Sequence, residues 1–153
     1  ELSNLGMPVI VLGSSKEIHD DLKCLSPSIV KYVRTKPSAS WVDELSNEIK
    51  AKSNLERPIF FNLAWRGEKK LVDGGISDQV RNISISSDFV KLAGQLGASK
   101  FISAGSIEEV LLQRVLSKGI SIAESKTTNW YAVAKTSAYM QAAFQAYLSK
   151  IDF

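Results

Sequence analysis

Apolar and polar positions along the chain alternate in blocks that predict strands followed by helices. Short runs rich in apolar and β-branched residues, typical of strands buried in a parallel sheet, occur at residues 8–12, 29–33, 58–63 and 100–103. Apolar residues at helical spacing, with Ser, Pro or Gly at the boundaries, predict helices at residues 15–25, 40–51, 76–96, 106–116 and 128–148. Residues 1–6 resemble the last turn of a preceding helix. Strands that alternate with helices, without hairpin signals, favour a parallel sheet covered by helices on both faces.

The composition narrows the class of protein without identifying a function. The chain has 153 residues, of which 44% are hydrophobic and 23% are charged, values typical of one globular domain. The net charge is +3 and the basic residues are scattered, so we expect no nucleic-acid partner. A nucleic-acid-binding α/β protein is a third hypothesis that rests on the net charge alone.

The sequence contains neither an apolar run long enough for a membrane span nor a signal peptide, so we expect no membrane partner. The single cysteine, Cys24, cannot form an internal disulfide and is typical of a reducing compartment, which favours the cytoplasm. Together with the single histidine, His19, it is too small a set for a structural zinc site, and no metal is expected.

The first candidate for chemistry is a tyrosine followed four residues later by a lysine. Tyr131 and Lys135 share one face of the predicted helix at 128–148. A nearby ammonium stabilises the phenolate form, which makes a tyrosine a usable proton donor or acceptor near neutral pH. The alternative is an exposed pair on an amphipathic helix.

A serine follows the predicted strand at 100–103, at the edge of a parallel sheet where ligands bind. From that position Ser106 could hydrogen-bond a substrate carbonyl or alcohol while Tyr131 moves the proton. The alternative is a helix cap, because Glu109 follows three residues later and completes a Ser-x-x-Glu capping box. The two roles are compatible, since a cap fixes the position of the serine.

These motifs occur in an order and at spacings that resemble the extended short-chain dehydrogenase/reductases, a family of nucleotide-sugar epimerases, dehydratases and reductases. The matching segments are Phe60–Ala64, Asn82, Lys100–Ser106 and the pair Tyr131 and Lys135. The resemblance covers roughly residues 1–150. It implies a Rossmann-like three-layer α/β/α domain with a mostly parallel sheet over residues 1–153, which binds NAD or NADP and transfers hydride.

The resemblance also implies roles for individual residues. Tyr131 resembles the catalytic acid and base, and Lys135 resembles the residue that holds the nicotinamide ribose. Ser106 resembles the hydroxyl that polarises the substrate. Ala64 and Asn82 resemble residues that lie along the cofactor.

Two further residues concern the substrate. Trp65 neighbours Ala64 and is a candidate for the pocket wall. Family dehydratases carry an Asp-Glu pair after the catalytic serine or threonine, where this chain has Ile107 and Glu108. The missing aspartate favours epimerisation or reduction over dehydration. The alternative for Glu108 is an acid in the first turn of a helix.

The glycine-rich loop that holds the pyrophosphate in this family is absent from the sequence. The best alignment makes residues 8–12 the second strand of the fold and places Gly13, Ser14, Ser15 and Lys16 where the adenosine ribose binds. No acidic residue is there to accept the ribose diol, which favours NADP over NAD. The alternative for Lys16 is a solvated loop lysine. We therefore expect a fold that is incomplete at both ends, without the first strand or the substrate domain.

Four alanines spaced four residues apart on the predicted helix at 128–148 would allow a close approach to the sheet or to a second copy. They are Ala134, Ala138, Ala142 and Ala146. The corresponding helix of the family forms a dimer contact, so a homodimer through 128–148 is one expectation. The leading functional hypothesis is an NAD(P)-dependent epimerase or reductase that acts on a nucleotide sugar. The alternative is a non-catalytic dinucleotide-binding module, a sensor or scaffold of the same fold.

Overall fold

The computed structural model describes residues 8–14, 16, 30–35, 40–66, 75–121 and 130–153. Over these residues the chain is a mixed α/β structure with four helices and two short sheets, each made of two parallel strands. It divides into two units, Glu1–Ser53 and Asn54–Phe153. The predicted helix at 15–25, the helix end predicted at 1–6 and Ser15 lie outside the described residues.

The first unit contains one strand pair and one helix. Strand β1 (Val9–Gly13) runs parallel to β2 (Val30–Arg34), and the register places Gly13 opposite Arg34. Helix α1 (Trp41–Lys52) buries Trp41, Leu45 and Ile49, which are four residues apart and therefore share one face. Ser40 precedes α1 as predicted, but its hydroxyl donates to the carboxylate of Glu44 instead of accepting a backbone N–H.

The second unit is built on the strand pair that the sequence predicts near residues 60 and 100. Strand β3 (Ile59–Asn62) runs parallel to β4 (Lys100–Ser103), with Asn62 opposite Ser103. Near the end of the chain, Asp152 bridges to Lys100 in the parallel direction. An ion pair of 2.8 Å between the two side chains accompanies this bridge.

Three helices complete the second unit: α2 (Ile76–Gln95), α3 (Ile107–Ser117) and α4 (Trp130–Leu148). Helix α2 ends as the glycine at 97 predicts, because Gly97 adopts a φ of 68° and the following N–H of Ala98 bonds to the carbonyl of Ala93. Helix α4 packs on α2 and α3, and all four alanines of its predicted stripe are buried. Helix α2 is thus a neighbour that the sequence did not identify. None of the helices within the described ranges is long and apolar enough to cross a membrane.

Aromatic rings form the centre of the second unit. Phe101 on β4 is almost fully buried and stacks on Phe60 and Phe153, with ring centres 5.3 and 6.0 Å away. Phe60 also contacts Phe89 of α2 at 5.8 Å. The sequence-predicted apolar position Val80 is 54% exposed instead. Near this end of α2 the buried face is formed by polar side chains.

Candidate active site at the carboxyl ends of β3 and β4

The polar residues buried on α2 fix the segment that follows β3. Gln79 and Asn82 are 2% and 3% exposed, respectively. The Asn82 side chain accepts the N–H of Arg66 at 2.9 Å and donates to the carbonyl of the same residue. The indole N–H of Trp65 donates to Oε1 of Gln79 at 3.2 Å. Because buried amides need partners, these bonds hold residues 65 and 66 against the helix.

The segments that follow β3 and β4 are tied to each other at the same edge of the sheet. The N–H of Ala104 donates to the carbonyl of Asn62 at 3.0 Å. The side chain of Asn62 accepts the N–H of Ala64 at 3.2 Å. In parallel sheets this is the edge at which ligands bind, and the backbone carbonyl of Ala104 remains an acceptor there.

Lys135 of α4 reaches that acceptor. Its side chain is buried, and Nζ donates to the carbonyl of Ala104 at 2.8 Å. The ammonium also lies 4.2 Å from the centre of the Trp65 ring, within the range of a cation–π interaction. Burial lowers the pKa of Lys135, and the nearby Glu109 carboxylate opposes that effect. A carbonyl, an aromatic face and a carboxylate thus compensate a cation that is largely removed from water.

Tyr131 lies one helical turn before Lys135 and contacts the same tryptophan. The rings of Tyr131 and Trp65 meet edge to face, with centres 5.8 Å apart and planes at 82°. Trp65 is half-buried, and its ring contacts both Tyr131 and Lys135. The predicted sharing of one helix face agrees with this arrangement.

Ser106 is the N-cap of α3, and both bonds of the predicted capping box are present. Its Oγ accepts the N–H of Glu108 at 3.3 Å, while the Glu109 carboxylate accepts the N–H of Ser106 at 2.5 Å. The cap bond uses an oxygen lone pair, so the hydroxyl proton stays available for donation to a ligand. Glu108 lies in the first turn of α3, which agrees with the alternative that it is a first-turn acid of a helix.

A small cavity of about 30 Å³ lies beside the Lys135 ammonium, with room for about one water molecule. Besides Lys135 it is lined by Trp65, Ser86, Glu109 and Tyr139, together with the backbone that follows β4. The part of the chain that the structure describes contains no cluster of His, Cys, Asp and Glu suited to a metal ion.

The residues predicted for the adenosine side of a cofactor belong to the first unit. Gly13 ends β1 so close to Tyr32 that a Cβ there would lie 2.6 Å from the tyrosine hydroxyl oxygen. Arg34 Nε donates to the carbonyl of Ser14 at 3.3 Å, and Lys16 is exposed. Ser15 is outside the described residues.

A cleft of about 360 Å³ lies where β2 ends. It is lined by Arg34, Thr35, Trp41, Glu44, Leu45 and Glu48. Sequence reasoning did not select Arg34, although a basic residue that ends a strand next to the predicted ribose loop was a usable signal. Gln79 was not selected either, although it lies three positions before Asn82 on the predicted helix and therefore on the same face.

Comparisons with known proteins provide no family for this chain. No known family model matches the sequence, and no curated protein is significantly similar to it.

Proposed function

We propose that this chain is the cofactor-binding part of an NAD(P)-dependent short-chain dehydrogenase/reductase that acts on a nucleotide sugar as an epimerase or reductase. The observation that carries the proposal is the buried Lys135 ammonium at the carboxyl ends of two parallel strands, with Tyr131 one turn away. The fold that goes with this proposal is the Rossmann-like α/β/α domain that the family resemblance implies.

The hydrogen-bonding groups at this edge would serve the ribose of a nicotinamide riboside. The Lys135 ammonium has three N–H donors, and the carbonyl of Ala104 takes one of them. The other N–H groups would donate to the hydroxyls of a ribose. Exposed Ala64 and the ring of Trp65 would form the wall beside it, with Asn82 fixing the segment through the backbone of Arg66. A bound nicotinamide would supply the acceptor or donor of hydride.

The proton chemistry follows from three side chains. In the oxidation direction, Tyr131 would act as the base that takes the proton of a sugar hydroxyl, while the hydride of the same carbon would pass to the bound nicotinamide, so that a ketone forms. Lys135 would supply positive charge beside the reacting oxygen. The Ser106 hydroxyl donates to the substrate oxygen and orients it. Reduction of a ketone reverses these transfers and is the reaction of a reductase. In an epimerase, hydride would return to the opposite face of the same sugar carbon and so invert its configuration.

The remaining contacts of the substrate and cofactor are assigned by the same reasoning. Glu108 and Trp65 would border the sugar. Ser14 and Lys16 would hold the adenosine ribose, and the basic character of this loop favours the 2′-phosphate of NADP.

A homodimer through α4 is part of the proposal. On the side of α4 opposite its buried alanines, Met140 and Phe144 are each 64% exposed, and Leu148 is 58% exposed. Such an apolar stripe is typical of a helix that packs on another chain. Sedimentation of the full-length protein should give a dimer, and Phe144→Glu should give a monomer; a wild-type monomer would exclude this contact.

The alternative function is a dinucleotide-binding module without turnover. It is favoured by the contacts that already occupy the polar groups, because Lys135 bonds to a carbonyl and Ser106 caps a helix. Under this alternative both side chains stabilise the fold and the cofactor, and no hydride is transferred.

Replacing Tyr131 with phenylalanine separates the two functions in the full-length protein. We expect Tyr131→Phe to lower turnover by about 100-fold or more, because the proton donor is lost. Cofactor affinity should stay within about threefold, since the ring remains packed on Trp65. The matched control is Tyr147→Phe on the exposed side of the same helix.

The assay combines nicotinamide fluorescence for NADH and NADPH binding with NMR of UDP-, GDP- and dTDP-linked sugars for turnover. Unchanged turnover in Tyr131→Phe would exclude Tyr131 as the acid and base of the reaction. Binding by the wild type without turnover of any of these sugars would favour the module, and absence of binding would exclude both functions.

A further inference from the structure

One tryptophan lies at the centre of the contacts that hold the candidate catalytic pair. The face of the Trp65 ring is 4.2 Å from the Lys135 ammonium, and the ring meets Tyr131 edge to face at 5.8 Å. Its N–H donates to the buried oxygen of Gln79. The Trp65 side chain therefore contacts the Lys135 ammonium, the Tyr131 ring and the buried Gln79 side chain of α2.

The contact with Gln79 fixes how the ring is turned. An indole has a single hydrogen-bond donor, so a bond to that donor sets the direction of the ring plane. Gln79 is almost fully buried, and water therefore cannot easily replace its partner if the ring rotates. A leucine or alanine at this position of α2 would bury as well but would leave the ring orientation open.

The ring orientation in turn decides what the ammonium meets. The negative face of an indole attracts a cation, whereas its positive edge does not. With the face turned toward Nζ, Lys135 keeps a stabilising contact although it is largely removed from water. The carbonyl of Ala104 accepts a hydrogen bond from the ammonium, and the carboxylate of Glu109 lies nearby.

We propose that Trp65 is a positioning residue: held by Gln79, its ring keeps the Lys135 ammonium and the Tyr131 phenol in place relative to each other. The placement of the two side chains stands on the contacts of this chain alone. Its consequence for catalysis rests on the proposed function.

Four variants of the full-length protein isolate the parts of this arrangement. Gln79→Leu removes the acceptor, and Gln79→Glu retains an acceptor oxygen as the conservative rescue. Trp65→Phe keeps an aromatic face without the N–H donor, and Trp65→Leu removes the face. All four are first compared with the wild type by circular dichroism.

The first readout does not need turnover. The Trp65 indole N–H is followed by proton–nitrogen NMR, and its exchange with water should be about fivefold to tenfold faster in Gln79→Leu than in the wild type. Competitive acetylation should modify Lys135 about threefold faster in Gln79→Leu and Trp65→Leu, relative to exposed Lys118. Gln79→Glu should restore both rates, and Trp65→Phe should keep most of the Lys135 protection.

The second readout is the split between kcat and KM for an active nucleotide sugar. In Gln79→Leu, which keeps the Trp65 side chain, a displaced Lys135 and Tyr131 pair should lower kcat about tenfold or more, with a much smaller change in KM for the sugar. Wild-type indole exchange in folded Gln79→Leu, together with wild-type Lys135 acetylation in folded Gln79→Leu and Trp65→Leu, would overturn the proposal. If Gln79→Leu does not fold, Trp65→Leu decides by the acetylation rate alone. Altered rates in a protein that binds no NADH or NADPH would retain the positioning role and exclude the proposed function.

Discussion

Ser106 has a structural role and a proposed chemical role, and two substitutions separate them. Ser106→Ala removes both the cap and the hydroxyl, whereas Ser106→Asn keeps a cap acceptor and removes the hydroxyl. The cap bond to Glu108 is long, at 3.3 Å, so its loss in Ser106→Ala should cost about 0.5–1 kcal/mol, at the low end for N-caps. Asparagine caps as well as serine, and Ser106→Asn should therefore change stability by less than about 0.5 kcal/mol.

The proposed chemical role predicts a much larger effect on turnover. Removal of one positioned donor to the reacting oxygen typically lowers kcat by about 100-fold to 1,000-fold, which corresponds to about 3–4 kcal/mol. A stability loss of about 1 kcal/mol leaves a typical domain folded and cannot produce that change. Urea unfolding and turnover are measured on the same preparations of both variants. Wild-type turnover in Ser106→Ala, which keeps no donor at this position, would refute the chemical role and leave Ser106 as a cap only.

Three further outcomes follow from the structure. Burial lowers the pKa of Lys135 below its ordinary value of 10.5. Between the lowered pKa and 10.5 the unfolded chain binds more protons than the folded chain, so the free energy of unfolding rises with pH. In Lys135→Met, urea unfolding should show a flatter rise over this pH range. Phe101→Ala should cost about 3–5 kcal/mol by urea unfolding, against less than about 0.5 for half-exposed Phe61→Ala; equal costs would contradict the packing. Lys16→Met should weaken NADPH binding about tenfold more than NADH binding by fluorescence titration, and exposed Lys31→Met should not.

The local elements of the second unit were predictable because their boundaries are encoded by neighbouring residues. The strand Lys100–Ser103 is confirmed, since an apolar run there lies between Gly97 and Gly105. The capping box is confirmed because Ser106 and Glu109 have the spacing of a helix start. In each case the deciding interaction spans only a few residues.

Interactions between distant segments were not predictable from the pattern. The hydrogen bond from Lys135 to Ala104 joins α4 to the segment after β4. The spacing of apolar residues along the chain gives no information about such a contact. Trp65 was selected only as a neighbour of a motif, and its partner Gln79 was missed because a polar residue on a helix is by default assigned to solvent. Ser40 shows the same limit at short range, because its hydroxyl donates to the Glu44 carboxylate and does not accept a backbone N–H of the helix.

The central claim is that the buried Lys135 ammonium binds the ribose of a nicotinamide dinucleotide. Isothermal titration of NADPH and NADH into the full-length wild type, Lys135→Met and the exposed control Lys118→Met tests it directly. Loss of the ammonium's hydrogen bonds should weaken the preferred cofactor by about 10-fold to 100-fold in Lys135→Met, with the control unchanged. Equal affinity of Lys135→Met and the wild type would contradict the account.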